Sequence, residues 1–386
     1  MISPFFVKAK PKRGRKKRGP QNRGVHLALE LLGFVDKIAP DLSFRAIQLS
    51  LLAPSFEIAS TILKTDGVNM TANKLRDLCS KFGNLSMPQR VELLLDENET
   101  CKNRRVLLSV DGGRLRQRKI KRGPIPKGNK QHGFNTDWIE PKMSVISFID
   151  DNGDIIKTVK PFVDGTTRKL PAFLKLLKQY LSKLHIQDAD EVLLVADGAP
   201  WIWERIPALL KQLKVEEKNI VQLIDWMHAK QNLFKAFDLV SKKKKEKVNF
   251  DILKFKNLMF NGNIDQIAVK VKKLFKVRNN SPLMKKIKSY FLSDKKRMQY
   301  QSVKNNKMPI GSGCIESVIR RVINLRLKSA GSFWKLGFAE TILYLRAQML
   351  YGRWNNLIKN RRKDLQLAFK NLVTNYSKTI QFNLNY

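Results

Sequence analysis

The spacing of apolar positions changes along this chain, and the changes divide it. Between residues 25 and 100 apolar side chains recur at the three- and four-residue spacing of short helices. "SFEIASTIL" is one such run, "KTDGVNM" supplies a glycine turn, and Thr71 is placed to cap "TANKLRDLCSKFG". Helix, tight turn and second helix is the helix-turn-helix pattern. It turns Leu75, Leu78 and Cys79 inward and Asn73, Lys74, Arg76 and Ser80 outward; an ordinary helical hairpin is the alternative.

From Cys101 the apolar runs become short and continuous. "RRVLLSVDGG" predicts a buried strand ending in Asp111 and two glycines. "GRLRQRKIKRG" places Arg114, Arg116 and Arg118 on one face if it is extended. "SVISFIDDNGDIIKTVKPF" predicts two strands about Asn152-Gly153, whose acids, Asp151 and Asp154, belong to the turn. An amphipathic helix, "RKLPAFLKLLKQYLSKL", leads to the strand "EVLLVADGAP". The helix "PWIWERIPALLKQLKV" then leads to a third Asp-ended strand, "IVQLIDWMH". Three strands followed by helix-strand-helix-strand predict an α/β fold, a mixed sheet covered by helices.

Residues 229–308 are helical in pattern and lysine-rich, with 22 Lys/Arg against five Asp/Glu and "SKKKK" as a loop. "PIGSGCIESVIRRVINLRL" then launches a helix whose stripe, Ile315, Val318, Ile319, Val322 and Ile323, fits against a sheet. Glu316 lies beside the stripe. Read locally, Glu316 complements the helix dipole and can pair with Arg320 one turn on. "GSFWKLGFAETILYLRAQMLYGRW" reads as a long closing helix.

Charge changes this picture. The chain has 386 residues, 74 Lys+Arg against 33 Asp+Glu and a formal net charge of +41, which calls for a polyanionic partner, usually nucleic acid. The first 24 residues, with nine basic residues and no acid, predict a disordered phosphate-binding arm. No apolar run is long enough to span a membrane, and the apolar patch from Pro4 to Val7 is too short for a signal peptide. Cys79, Cys101 and Cys314 lack metal-ligand spacing and read as reduced thiols of a cytoplasmic protein.

Ligands of such sheets bind at the carboxyl ends of the strands, where Asp111 and Asp197 fall. If their strands are neighbours, the two anions need cations; oxygen ligands suit Mg²⁺ or Mn²⁺. The glycines beside them are expected to leave room for a nucleic-acid backbone. Glu316, pointing over the sheet edge, would complete a two-metal site for phosphoryl transfer.

"SVDGGRLR", "LLVADGAPWIW", "DWMHAKQNL", "PIGSGCIESVIRRVINLRLK" and "LRAQMLYGRW", in this order, resemble a DDE-type bacterial insertion-sequence transposase of the Kra-type family, related to the Mutator-like group. The likeness covers roughly residues 40 to 355. It implies an RNase H-like catalytic core (101–228 and 309–386) interrupted by an all-helical insertion (229–308), with a helix-turn-helix-like DNA-binding region (25–100) ahead of it. It implies Asp111, Asp197 and Glu316 as ligands of two Mg²⁺ or Mn²⁺ ions, and Asp225 and His228 as an auxiliary D-x-x-H pair. A helix start disfavours imidazolium, so His228 is expected to stay neutral near pH 7, free to position water or phosphate. The partners implied are double-stranded DNA at element ends and target, held by a homodimer or larger oligomer in the bacterial cytoplasm. Asn73, Lys74, Arg76, Arg114, Arg116, Arg118 and Arg320 are the expected DNA contacts. A nuclease that only hydrolyses, or a non-catalytic DNA-binding protein of the same descent, are the competing readings.

Overall fold

A computed structural model of the protein describes residues 38–363 apart from 97, 126, 129–131 and 240–251, together with 6–8, 24–26, 29, 34 and 367. Most of the expected arm, and the "SKKKK" loop, lie outside the described residues. The arm's described pieces pair as an antiparallel ladder of β1 (Phe6–Lys8) and β2 (Gly24–His26). The chain divides into two compact units, residues 1–96 with 344–386, and residues 97–343.

The first unit is helical. It holds α1 (Pro40–Leu52), α2 (Phe56–Thr65), α3 (Ala72–Ser86) and the short α4 (Arg90–Leu94). Ser55 caps α2 by accepting from the Ile58 N–H, and Thr71 caps α3 by accepting from the Lys74 N–H at 3.3 Å. Between α2 and α3 the chain reverses at Gly67, whose φ of +78° favours glycine. Leu75, Leu78 and Cys79 face inward as expected. Asn73 and Arg76 are exposed, and Arg76 donates to Asn73 Oδ1 and to Glu57 Oε1.

The expected core includes all of 309–386, but the last part of the chain goes with the helices. Arg346 donates to the Leu51 carbonyl and Arg353 to the Leu94 carbonyl, and both arginines are buried. These buried bonds tie the end of the chain to the ends of α1 and α4, so residues 1–100 alone would lack part of their own unit.

The second unit is built on a five-stranded sheet in the order β7-β6-β3-β8-β9. Its members are β3 (Arg105–Gly112), β6 (Lys142–Ile149), β7 (Phe162–Thr166), β8 (Glu191–Ala196) and β9 (Ile220–Ile224). β3, β6 and β7 are antiparallel, while β8 and β9 run parallel to β3. Strands covered on both faces read as continuous apolar runs, which is why β3, β6 and β8 are legible in the sequence. The turn at Asn152-Gly153 forms, with Asp150 accepting from the Asn152 and Asp154 N–H groups. The returning strand, however, begins only at Phe162. After one bridge from Ile155 to Ile149 the chain turns again, and Pro161, lacking an N–H, precedes β7.

Between β3 and β6 stands a separate ribbon, β4 (Leu115–Ile120) paired with β5 (Phe134–Ile139). The helices around the sheet are α5 (Leu170–Lys183), α6 (Pro200–Gln212) and α7 (Trp226–Phe237). Beyond α7 the described residues are helical: α8 (252–260), α9 (Ile264–Phe275), α10 (Pro282–Lys286), which runs into a π-turn at Ile287–Leu292, and α11 (Tyr300–Asn305). The chain returns in α12 (Gly313–Val318), which also continues as a π-turn, Ile319–Asn324. Helix α13 (Leu336–Leu350) runs through the boundary between the units. Among the described residues no helix is long and apolar enough to cross a membrane.

Candidate carboxylate site at the strand ends

The parallel register puts Val110 beside Ala196 and Ala196 beside Ile224. The next residue on each strand is an aspartate, so Asp111, Asp197 and Asp225 end three neighbouring strands side by side. The Asp225 N–H donates to the Ala196 carbonyl at 2.8 Å, which extends this alignment by one residue.

Asp111 accepts from the Gly112 N–H at 2.6 Å, and Asp197 accepts from the Ala199 N–H at 2.9 Å. Burial pushes the Asp111 carboxyl up to about 6; the Gly112 N–H opposes this, and the Asp197 charge adds to it. Among the described residues, no Lys or Arg forms an ion pair with Asp111, Asp197 or Glu316. Arg320 is exposed and unpaired with Glu316, so the local ion-pair explanation for that acid fails.

Glu316 comes in on α12. Ile315, Val318, Val322 and Ile323 are buried and Ile319 half-buried, as the stripe predicts, and the helix packs on β3 and β6. Burying four such side chains stabilises this docking by roughly 1.5–3 kcal/mol each. Glu316 itself stays half exposed, with Oε1 at 3.6 Å from His228 Nδ1. Cys314 packs its thiol 3.5 Å from Ser109 Oγ, and burial raises its pKa, so it is a packed thiol rather than a nucleophile.

Asp225 is 1 % exposed and fully engaged. Its Oδ1 accepts from the His228 N–H at 2.7 Å, capping α7, and lies 3.2 Å from His228 Nδ1. Its Oδ2 accepts from the Ser312 N–H and from Ser312 Oγ. Burial would raise this carboxyl, but the hydrogen bonds from His228 and Ser312 outweigh it and hold the pKa at about 2. The same Asp225 bond raises the His228 pKa against the opposing effect of burial, with the Asp225, Glu316 and Asp197 charges assisting. The direction of this shift is opposite to the one expected of a helix start. The helix start is outweighed by a carboxylate in direct contact.

These contacts sort the acids. Asp225, His228 and Glu316 bring ligand atoms within 4.8 Å of one another, close enough to share a cation. Yet both Asp225 oxygens are taken, and His228 Nδ1 points its proton at Asp225. Asp111 and Asp197 each spend one oxygen on a backbone N–H and keep the other open. They lie outside that cluster of ligand atoms. As neighbouring carboxylates whose charges bear on each other they are oxygen donors of the kind that suits a divalent cation such as Mg²⁺ or Mn²⁺, while Glu316 is brought to His228 rather than to them.

The glycines do not leave the space expected of them. A Cβ on Gly112 would meet the Glu140 side chain, one on Gly113 the Ile323 side chain, and one on Gly198 the Tyr290 ring at 2.7 Å. Neighbouring side chains, not open solvent, fill these positions. Tyr290 sits on the π-turn after α10, so the helical segment reaches back to cover the chain next to Asp197. Burial and the nearby acids raise its phenol pKa. Gly198→Ala is expected to push this ring away and cost about 1–3 kcal/mol, as overpacking does. Thermal melts should show Tyr290→Ala recovering most of that loss; an additive double variant would mean that the two residues do not touch.

The arginines of β4 divide as well. Arg114 is exposed, with its guanidinium 6.0 Å from the Trp138 ring centre. Arg116 donates to the Ser329 carbonyl at 2.9 Å and lies over the Phe333 ring, while Arg118 lies over Phe134. Arg116 and Arg118 therefore brace the ribbon. Ser312, Glu140, Tyr290 and Trp138 were missed in the sequence, although Ser312 lies inside the "GSG" that marked the turn into α12.

No known family model and no curated protein sequence matches the chain. Among solved structures it is similar to a chain of the Drosophila P element transposase strand transfer complex, at 13% identity over 86% of this chain and 83% of that one, with a TM-score of 0.31. A likeness at that score is too slight to assign a function.

Proposed function

We propose that this protein is a DNA transposase that cuts the ends of an insertion sequence and joins them to target DNA. The observation that carries this reading is the pairing of Asp111 with Asp197 at the ends of adjacent parallel strands, with no Lys or Arg ion-paired to either among the described residues. Three antiparallel strands followed by two parallel ones support an RNase H-like core, with residues 229–308 as its helical insertion.

In this reading Asp111, Asp197 and Glu316 hold two Mg²⁺ or Mn²⁺ ions. Bound there, two such ions would supply the Lewis acidity that activates a water or 3′-hydroxyl and the positive charge that offsets the leaving oxygen in a phosphoryl transfer. Asp111 and Asp197 each keep one oxygen open for such an ion, and α12, packed on β3 and β6 by its buried stripe, carries Glu316 to the side of His228. Asp225 is a positioning residue that ties Ser312, and so the start of α12, to the end of β9. His228, whose ring lies between Asp225 and Glu316 and whose protonated form both carboxylates favour, is suited to donate to a non-bridging phosphate oxygen. Arg114 and Arg320, both exposed, contact phosphates, and Asn73, Lys74 and Arg76 on α3 face DNA in the helical unit. The protein acts in the cytoplasm as a homo-oligomer on double-stranded DNA.

The test is incubation of the purified chain with duplexes ending in its own element's termini, with Mg²⁺ or Mn²⁺. Both cleavage and joining are expected. Cleavage without joining would leave a hydrolytic nuclease, and neither, with DNA still bound, a non-catalytic binder.

A further inference from the structure

All six tryptophans of this chain are described, and five are buried or half-buried; Trp138, on β5, is 52 % exposed. A single exposed apolar side chain needs no explanation. This one differs in its setting. In the ribbon register Trp138 stands directly across from Arg116. The guanidinium of Arg116 lies 5.8 Å from its ring centre and that of Arg114 6.0 Å. Arg116 is itself pinned by the Ser329 carbonyl and the Phe333 ring, so the indole rests on a braced surface. The ribbon is strongly cationic, with eight Lys/Arg against two Asp/Glu in residues 113–140.

Its place in the fold matters as much. Glu140, two residues beyond Trp138, fills the space over Gly112, and its charge bears on Asp111. At the rise of a strand, Trp138 and Glu140 are roughly 7 Å apart along the backbone. The root of the ribbon stands beside Asp111, and the indole two residues further out along β5.

We propose that Trp138 is a stacking platform for an unpaired DNA base next to the scissile phosphate, with Arg114 holding the adjoining phosphate. An indole face accepts any base, and a neighbouring guanidinium supplies the charge that a single-stranded backbone requires. A paired base offers its face only to its neighbours in the stack, so the platform distinguishes unpaired from paired DNA. The proposal rests on the reading of the carboxylate site as a DNA site.

The test uses the full chain with EDTA present, so that no cutting intervenes. One probe is a single-stranded oligonucleotide; the other is the duplex of the same sequence. Trp138→Ala is expected to weaken single-strand binding about 5- to 100-fold, the usual loss for one stacked base. Duplex binding should change less than about twofold, and the salt dependence should stay the same, because no phosphate contact is removed. Trp138→Phe should restore most of the loss. In a duplex carrying one unpaired 2-aminopurine, the wild type should quench the probe and Trp138→Ala should not. Equal losses on both DNA forms, or quenching unchanged in Trp138→Ala, would overturn the platform. A wild-type chain that bound neither DNA form would sink the DNA reading itself.

Discussion

Asp111→Asn should abolish DNA cleavage and, at the same time, make the cation-free protein more stable. The first effect follows from the proposed function, in which Asp111 is an oxygen ligand and Arg114 and Arg320, which meet the phosphates, are kept; Asp197→Asn and Glu316→Gln should share it. The second follows from the raised carboxyl of Asp111, which moves from 3.8 to about 6 on folding. A raised carboxyl binds its proton more tightly in the folded state, so ionisation works against folding, fully so above pH 6. Discounted for its partial exposure, the cost is about 1–3 kcal/mol. The gain from Asp111→Asn should therefore be complete near pH 8 and vanish below about pH 4, where both states are protonated. Unfolding in EDTA at the two pH values measures this. Added Mg²⁺ should raise the melting temperature of the wild type but not that of Asp111→Asn. If Asp111→Asn still cleaves DNA at near wild-type rate, or melts lower at pH 8, Asp111 is not a ligand.

Asp225→Ala should do the opposite and destabilise the protein outright, by about 3 kcal/mol or more. It strands the buried N–H of Ser312, removes the cap of α7 and leaves the His228 ring without its acceptor. Asp225→Asn keeps one acceptor oxygen but turns an NH₂ towards groups that are themselves donors, so it should lose about 1–3 kcal/mol. In Asp225→Asn the His228 pKa should fall, because its largest raising influence is gone. Denaturant unfolding and an NMR titration of the His228 ring check both parts. Unchanged stability in Asp225→Ala would mean that the tie between β9 and α12 does not form.

Much of this architecture is legible in one dimension. β3 and β8 are covered on both faces, so each appears as an apolar run stopped by an aspartate, and the α12 stripe repeats at helical period. The ribbon strand β5 is not legible, because "FNTDWI" has no alternation of apolar and polar positions and is exposed or half-exposed along its length. What holds the ribbon is distant: the Trp334 N–H donates to the Arg116 carbonyl, and the Trp334 carbonyl accepts from the Arg118 N–H. The upward shift of the His228 pKa is hidden for a related reason. The spacing of Asp225 and His228 shows that they can meet, but not that the carboxylate turns one oxygen to the ring and the other to Ser312. The glycines beside the acids announce close approach without saying what approaches. The answer, Ile323, Glu140 and Tyr290, comes from elements packed in tertiary structure.

The Trp226 N–H donates to the Ile310 carbonyl at 3.1 Å, and Asp225 holds Ser312 across a separation of 87 residues. The helical segment thus leaves the sheet beside Asp225 and re-enters it beside Ser312 through a stitched neck. Loop closure changes slowly with length, so doubling or halving such an excursion alters its entropic cost by only about 0.6 kcal/mol. Only the parts that pack back on the sheet, such as Tyr290 over Gly198 and Arg297 beside Gln222, are tied to the acids, and the rest of the excursion is free to vary in length. For proteins built this way, the number of residues between the second and third acids carries almost no geometric information. The pair of contacts that closes the neck is the better mark by which to recognise the site.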